Sequence, residues 1–387
     1  MVSVTKLLCD GNWFGDGLRY SQGASAAKNG VNSGRGPVVV WNCTRTCNLN
    51  CKHCYSNSEN KKYEGELTTL EAKKFIRDLA EFNVPVLLIS GGEPLLREDL
   101  LELIDFANLH KIRSTISTNG TMIDKAMAKK LKACQVGYVG ISLDGIGAQH
   151  DAFRGQKGSF DKAIAGIRNC LEVEQKVGVR FTISKDTLHQ LEDIFYLIKT
   201  EKIPRACFYH LVYSGRGKEI MEEDVSHEES RGAMELIMKY ALELGETTEI
   251  LTVDNHADGI YLYLKAVERY PQKAEKILDL LRTNGGNRSG IAIGNVDHRG
   301  FVHPDQFTPM HTFGNVKEES FGSIWSSSRN PILAGLKDRK ALLKGRCGQC
   351  KWLEMCNGNF RARAEAVTDD FWESDPACYL RDDEIGL

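Results

Sequence analysis

Three cysteines on one short segment constrain this chain more than any other feature. They have the spacing C-x3-C-x2-C and are Cys47, Cys51 and Cys54. They follow an apolar run at residues 38–41 that predicts a strand. Three thiolates suit the iron corners of a [4Fe–4S] cluster, and they leave the fourth iron open to a cofactor. A zinc site, with His53 or Cys43 as a further ligand, or unliganded thiols are the alternatives.

Length and composition are those of an ordinary globular protein. The 387 residues are 42% apolar and 26% charged, which predicts one large domain and a smaller one. The net charge of −2 gives no basic signal for nucleic acid, and no apolar run approaches the ~18 residues of a membrane span. We therefore expect a cytoplasmic protein without nucleic-acid or membrane partners. Twelve cysteines are many for such a protein, and seven of them fall into two spaced groups that indicate metal binding.

Between residues 37 and 245, apolar runs alternate with segments of helical period. The predicted strands are residues 37–42, 84–89, 112–117, 136–143, 177–183 and 205–213. The predicted helices are residues 68–82, 97–110, 122–134, 158–175, 187–200 and 226–244. Six β/α units predict an α/β fold with a parallel sheet, either doubly wound or a partial barrel. Residues 1–36 are expected to be an extension, poorly structured at 21–36, and residues 246–387 are expected to lose this alternation.

Polar residues follow the second, third and fourth predicted strands. The motifs are Ser-Gly-Gly-Glu-Pro at 90–94, Ser-Thr-Asn-Gly at 117–120, Ser-Leu-Asp-Gly at 142–145 and His-Asp-Ala-Phe-Arg-Gly at 150–155. In a parallel sheet or barrel these strand ends share one edge, where the chemistry of such folds gathers. A second group of thiols lies near the C-terminus and comprises Cys347, Cys350, Cys356 and Cys378. For an isolated quartet of this kind, zinc would be the default ligand.

These motifs together resemble the radical S-adenosylmethionine (SAM) superfamily, whose signature is C-x3-C-x2-C after the first strand. The resemblance implies a partial (β/α)6 barrel at 37–245, in which SAM chelates the open iron of the cluster. It also implies hydrogen abstraction by a 5′-deoxyadenosyl radical. The residues that it assigns to SAM binding are Tyr55, Gly91, Gly92, Glu93, Ser117, Asn119, Ser142 and Arg154. A surface salt bridge is the alternative role for Arg154.

The C-terminal quartet is similar to the outer auxiliary [4Fe–4S] site of SPASM-type domains, which places such a domain at 246–387. A complete domain has three further cysteines for an inner cluster. Here Asp305 and Phe360 stand at two of those positions, and no cysteine precedes Gly300 where the third belongs. The resemblance therefore implies two [4Fe–4S] clusters, SAM, and an electron donor such as ferredoxin or flavodoxin.

Two segments, 37–42 and 209–217, resemble the haem-biosynthesis branch of this superfamily. That branch removes side chains from 12,18-didecarboxysiroheme. Loss of the two acetates gives Fe-coproporphyrin III, and loss of propionates belongs to haem d1 synthesis. The short region before the first motif argues against a peptide-modifying SPASM enzyme, which remains an alternative. A zinc-stabilised binding protein without catalysis is the other.

Residues that could contact a tetrapyrrole are either histidines for its iron or cations for its carboxylates. The predicted substrate residues are His210, Arg216, His303 and Asp305. Further candidates are His298 and His311 as axial ligands, and Arg288, Arg361 and Arg363 as partners for carboxylates. No catalytic side chain can be singled out from the sequence.

Overall fold

The computed structural model describes residues 1–387 apart from the side chain of Ser25. Strands and helices alternate along much of the chain. The strands are β1 (Val2–Ser3), β2 (Val38–Thr44), β3 (Val86–Gly91), β4 (Arg113–Thr118), β5 (Val139–Ser142), β6 (Val177–Ile183), β7 (Arg205–His210), β8 (Glu249–Val253), β9 (Ile293–Val296), β10 (Phe301–His303) and β11 (Gly314–Asn315). The helices to residue 244 are α1 (Val4–Cys9), α2 (Asp16–Arg19), α3 (Thr69–Glu81), α4 (Leu100–Leu109), α5 (Lys125–Ala133), α6 (Ala148–Arg154), α7 (Ser159–Glu172), α8 (Lys185–Leu188), α9 (Leu191–Thr200) and α10 (His227–Leu244). Those that follow are α11 (Ala257–Arg269), α12 (Pro271–Asn284), α13 (Phe321–Ser326), α14 (Pro331–Lys337), α15 (Gly345–Gln349), α16 (Leu353–Cys356), α17 (Arg361–Thr368) and α18 (Asp382–Ile385).

The chain divides into two compact units, each built from separate stretches of sequence. The unit that contains the first three cysteines, here called the triad unit, comprises Ala27–Arg180 and Ser289–Lys337. The other, here called the quartet unit, comprises Met1–Ala26, Phe181–Arg288 and Asp338–Leu387.

A mixed sheet forms the centre of the triad unit. From β2, the strands β3, β4, β5 and the first residues of β6 continue in parallel, with Val39 opposite Leu87. On the other side of β2, β9 pairs in parallel, and β10 and β11 follow antiparallel. Because parallel strands end at the same edge, the cysteine segment and the polar motifs after β3, β4 and β5 lie along one edge of this sheet.

Helices cover this sheet with apolar faces and begin at defined caps. The Thr68 side chain and Glu71 form a capping box at the start of α3. Phe75 on the buried face of α3 meets the ring of Trp41 edge-on, with centroids 5.7 Å apart, and both side chains are fully buried. Such burial of large aromatic rings stabilises the contact between helix and strand, and it fixes the strand from which the cysteine segment leaves.

In the quartet unit, β8 pairs in parallel with β7 and antiparallel with β1. The helix α10 begins at a Ser226–Glu229 capping box, and its Tyr240 ring stacks on Phe195 of α9 at 4.2 Å. Among the described residues, no helix is both long and apolar enough to cross a membrane.

The α/β fold is confirmed, and each of the six predicted strands overlaps one of β2 to β7. The strand predicted at 136–143 is shorter, and the helix predicted at 187–200 is divided into α8 and α9. Thr187 lies within α8, and its hydroxyl donates to the Thr182 carbonyl at 2.6 Å, which ties α8 to the turn after β6.

One expectation about the end of the β/α pattern was wrong, because the alternation continues past residue 246 with β8 and α11. The first residues of the chain form β1 and α1, ahead of the segment 21–36 that was expected to be poorly structured. The strand β8 begins with the charged Glu249, which is 2% exposed and pairs with Arg205 at 3.1 Å and with Arg19. The sequence pattern did not predict this strand because it begins with a charged residue. That charge can be buried only because cations distant in the sequence pair with it.

Candidate functional site

The three cysteines of the triad unit occupy a loop directly after β2. Cys47 and Cys51 are buried together with Leu49, and Cys54 packs against them half-buried. Burial raises the pKa of the Cys47 thiol to about 12 and also raises that of Cys51. Thiols in such surroundings are neutral until a metal binds and displaces their protons. The donor set therefore fits a cluster with soft sulfur ligands.

The Gly-Gly-Glu-Pro loop after β3 contacts the backbone just before the first cysteine. The amide of Gly92 donates to the Thr44 carbonyl, and the amide of Glu93 donates to the Thr46 carbonyl, both at 2.8 Å. A Cβ atom on Gly92 would lie 2.2 Å from the Thr46 oxygen, and one on Gly91 would lie 2.2 Å from the Thr44 oxygen. Both glycines are therefore required by the close approach of two backbones.

Glu93 links the loops after β3 and β4. Its carboxylate is fully buried and accepts hydrogen bonds from the Thr118 hydroxyl at 2.7 Å, the Asn119 amide at 2.8 Å and the Leu95 amide at 3.1 Å. Burial raises the pKa of this carboxyl, although the hydrogen bonds and Arg154 oppose the rise. The side chain thus positions the two loops relative to each other.

Asn119 extends this network into the cysteine segment. Its side-chain amide donates to the Asn48 oxygen at 2.8 Å, and the Asn48 amide donates to the Thr121 hydroxyl at 2.9 Å. Asn48 lies between the first two cysteines in sequence. The predicted SAM residues Glu93 and Asn119 are therefore brought together with the cysteines, while Ser117 lies half-buried near the end of β4.

Arg154 is buried against the cysteine loop at the end of α6. One guanidinium nitrogen, Nη1, donates to the Cys51 sulfur at 3.6 Å, and the other terminal nitrogen pairs with Asp144. The side chain of Arg154 is 9% exposed and that of Asp144 is fully buried. The alternative of a surface salt bridge is thus wrong, because this pair lies inside the protein. Ser142, another predicted SAM residue, lies half-buried two positions before Asp144 at the end of β5.

His53, weighed in the sequence only as a zinc ligand, is part of the same arrangement. Its ring stacks on Phe153 with centroids 4.7 Å apart, and its Nε2 lies 3.7 Å from Asp144. Its position between the second and third cysteines was the signal that could have identified it. Cys43, the other proposed zinc ligand, lies fully buried on β2, where burial raises the pKa of its thiol to about 12.

Tyr55 follows the third cysteine and connects three segments of the triad unit. Its hydroxyl hydrogen-bonds with Ser90 at 3.1 Å and donates to Asn42 at 3.2 Å, and its ring meets Phe307 edge-on at 5.2 Å. Burial raises the pKa of this phenol to about 12, so the group is neutral. Phe307 belongs to the loop after β10, which also carries Asp305.

His303 and Asp305 are both buried and have local partners. The Asp305 carboxylate accepts from the Phe307 amide at 2.9 Å and the Thr308 hydroxyl at 3.0 Å. His303 donates through Nδ1 to the His311 carbonyl at 3.1 Å. Asp305 thus shapes a turn.

The four C-terminal cysteines line one cavity in the quartet unit. Part of this cavity is open to solvent, and Arg346, Leu353 and Ile385 complete its wall. The pKa of the Cys356 thiol is raised by burial, and that of Cys378 is raised to about 12. Within the described residues, no three His, Cys, Asp or Glu side chains converge as they would on a single ion. The four sulfurs surround a space, and a donor set of this chemistry fits a cluster.

Three further hydrogen bonds hold the loops of this cavity. The Asn287 amide donates to the Cys356 carbonyl at 3.0 Å, and the Asn357 side chain donates to the Asn287 carbonyl at 2.6 Å. The Cys350 sulfur accepts from the Trp352 amide at 3.4 Å. Hydrogen bonds to cysteine sulfur of this kind are among the features that tune Fe–S sites.

Two arginines that were candidates to pair with substrate carboxylates bind buried groups of the protein instead. Arg363 is fully buried and pairs with Asp375 at 2.7 Å, and its guanidinium lies over the Phe360 ring, 5.0 Å from the centroid. Arg361 is 2% exposed and donates to the carbonyls of Phe371, Glu373 and Gly358. The prediction that these two groups meet substrate was wrong, since leaving their buried partners would be costly.

His210 ends β7 in a buried polar chain. Its Nε2 lies 3.0 Å from Asp258, whose other oxygen accepts from the Tyr379 hydroxyl at 2.6 Å. Burial acts to lower the pKa of His210, but the facing Asp258 carboxylate outweighs it and the pKa is raised. Arg216 lies half-buried in a short turn after β7, and Arg288 donates to the Ala24 carbonyl at 2.7 Å.

Comparison with known proteins places these sites in a family. The model of the radical SAM superfamily matches residues 41–198. Fe-coproporphyrin III synthase of Methanosarcina barkeri is 50% identical, over 100% of this chain and 99% of the relative. Pre-heme d1 synthase of Dinoroseobacter shibae is 43% identical, over 90% and 88%. The solved structure of Streptococcus suis SuiB bound to S-adenosylmethionine has a similar fold, with a TM-score of 0.70, 18% identity, and coverage of 89% of this chain and 77% of that one.

The chain therefore belongs to the radical SAM superfamily, and it is an enzyme of that class. The two relatives named above are synthases of haem biosynthesis, which confirms the branch expected from the sequence. A [4Fe–4S] cluster and bound SAM follow from membership of the family.

Proposed function

We propose that this protein removes the two acetate side chains of 12,18-didecarboxysiroheme to give Fe-coproporphyrin III. The observation that carries the proposal is the identity of 50% with Fe-coproporphyrin III synthase over the whole chain. The identity with pre-heme d1 synthase is lower, 43% over 90% of the chain, and propionate removal is therefore the second candidate. In either reaction the substrate is an iron tetrapyrrole that carries carboxylate side chains.

Cys47, Cys51 and Cys54 are assigned as the ligands of the SAM-binding cluster. Cluster and SAM together supply a one-electron cleavage that generates a hydrogen-abstracting radical. The polypeptide supplies the frame: the Gly91–Gly92 backbone fits against the loop before Cys47, and Glu93 joins it to the next loop. We assign contacts with SAM to Tyr55, Gly91, Gly92, Glu93, Ser117, Asn119, Ser142 and Arg154, with Glu93 acting through the loops that it positions.

We assign an auxiliary [4Fe–4S] cluster to the four C-terminal cysteines. Four thiolates on one Zn²⁺ would hold their sulfurs within about 4 Å of one another, because Zn–S bonds are about 2.3 Å. All four thiols line one cavity, and a [4Fe–4S] cage spreads its irons among four such ligands. Phe360 supports a single auxiliary cluster, since this ring packs under Arg363 at a position where a complete SPASM domain has a ligand.

The proposal extends to partners and surroundings. A one-electron donor such as ferredoxin or flavodoxin would reduce the clusters, and thiols that must stay reduced favour the cytoplasm. Substrate contacts are proposed for His210, Arg216, His303 and Asp305. Of these, Arg216 is the most exposed, which suits contact with a propionate; the other three are buried.

The decisive experiment is anaerobic incubation of the reconstituted enzyme with 12,18-didecarboxysiroheme, SAM and reductant, followed by mass spectrometry of the pigment. Loss of the two acetate side chains supports the proposal, and loss of two propionate side chains gives a different mass and supports the second candidate. An unchanged pigment without a shift of its Soret band on mixing would favour a peptide-modifying enzyme. Uptake of zinc in place of about eight irons would favour a zinc-stabilised binding protein.

A further inference from the structure

The contact between Arg154 and Cys51 has a consequence for the metal site. The guanidinium donates an N–H to the sulfur at 3.6 Å, and its other terminal nitrogen is paired with Asp144. This cation is therefore directed at a cluster ligand and held by a buried anion. A positive charge and a hydrogen bond at a ligand sulfur favour the reduced, more negative cluster.

The backbone holds this contact in place from both sides. The Lys52 amide donates to the Phe153 carbonyl at 3.0 Å, and the Asn50 amide donates to the Arg154 carbonyl at 3.3 Å. The next residue, Gly155, has a positive φ of 69°, and a Cβ atom there would lie 2.5 Å from the Asn50 oxygen. The end of α6 and the cysteine loop are thus joined at fixed separation, and the guanidinium has little freedom to leave the sulfur.

We propose that Arg154 and Asp144 set the reduction potential of the cluster bound by Cys47, Cys51 and Cys54. Arg154 raises the potential through its charge and its hydrogen bond to sulfur, and Asp144 moderates that effect with an opposite charge. The reaction that this potential governs is the uptake of one electron by the oxidised cluster, before SAM reacts. The electron would come from ferredoxin, flavodoxin or dithionite. The inference rests on the proposed assignment of Cys51 as a cluster ligand. It gives Arg154 a role that is independent of contact with SAM.

The test is an anaerobic redox titration of the full reconstituted chain without SAM, followed by electron paramagnetic resonance. A variant with all three triad cysteines replaced by alanine gives the signal of the auxiliary site, which is subtracted. Arg154→Gln removes the charge, Arg154→Lys keeps it as a matched control, and Asp144→Asn removes the opposing charge with almost no change of shape. The affinity of each variant for SAM is measured separately.

We expect a more negative potential in Arg154→Gln, a smaller change in Arg154→Lys and a more positive potential in Asp144→Asn. An unchanged potential in Arg154→Gln, together with weaker SAM binding, would overturn the inference and leave Arg154 as a SAM contact alone. If Arg154→Gln fails to take up iron, Asp144→Asn decides, since an unchanged potential there also overturns it. A SAM-responsive cluster that persists in Cys51→Ala would refute the ligand assignment itself.

Discussion

Arg363 and Asp375 form an ion pair from which solvent is fully excluded, with Nη2 and Oδ2 2.7 Å apart and both side chains 0% exposed. The same guanidinium donates to the carbonyls of Leu211 and Asp254, which follow β7 and β8 directly. Asp375 in turn accepts from the amide of Phe360 at 3.0 Å. One side chain thus joins two strand ends to the segment that leads to Cys378.

Breaking this pair should be severely destabilising. Asp375→Asn leaves a buried guanidinium without its counter-charge, which typically costs about 3–5 kcal/mol. Urea unfolding of the variant should show this loss, and the auxiliary site should retain less iron than the SAM site. Arg381→Ala, which removes an exposed partner of Glu228, is the matched control and should have little effect. Equal stability of both variants would contradict this account.

Gly92→Ala should disrupt the triad site more than its size suggests. The added methyl group would lie 2.2 Å from the Thr46 carbonyl oxygen, so the loop before Cys47 must move. We expect loss of SAM binding and reduced iron at this site, measured by equilibrium binding and iron analysis. Gly232→Ala on α10 is the control, because its Cβ atom would meet open space, and it should be more stable by about 1 kcal/mol. Normal SAM binding by Gly92→Ala would count against the proposed frame.

The two groups of cysteines should be separable by iron content. The wild type should bind about eight irons, and either Cys51→Ala or Cys347→Ala should retain about four. Cleavage of SAM under dithionite should be lost only in Cys51→Ala, because the triad is the proposed SAM site. Cys134→Ala lies outside both groups and should keep all the iron. Surviving cleavage in Cys51→Ala would contradict the assignment.

His150 should make stability depend on pH. Burial, aided by the Arg154 charge, lowers its pKa to about 4 from the ordinary value of 6.5, and its Nδ1 accepts from the Asp144 amide at 3.1 Å. Between these values the unfolded chain binds the extra proton and the folded protein does not. Stability should therefore rise with pH across this window and fall on acidification.

His150→Gln tests this dependence, because the amide cannot take up the proton. The free energy of unfolding of the metal-free protein in urea should differ less between about pH 5 and about pH 7 in the variant than in the wild type. An unchanged difference would mean that other groups cause the acid sensitivity.

The sequence predicted the parts of the fold and site that depend on local pattern. The cysteine spacing, the strand before it and the Gly-Gly-Glu-Pro turn are contiguous, and the structure brings the three together. The strand β8 escaped detection because Glu249 is neutralised by Arg19 and Arg205, far away in the chain. The structural role of Arg363 was not predicted for the same reason, because its partners Leu211 and Asp254 lie 152 and 109 residues away in the sequence.

The position of Arg363 also limits how this protein can diverge. Loss of the arginine alone would leave the Asp375 charge buried without a counter-charge, and loss of the aspartate alone would do the same to the guanidinium. Single substitutions at either position should therefore be purged by selection, and paired replacements should persist. Among descendants of a common ancestor, positions 363 and 375 are expected to change together or not at all. The segment that leads to Cys378 should therefore be inherited together with this ion pair.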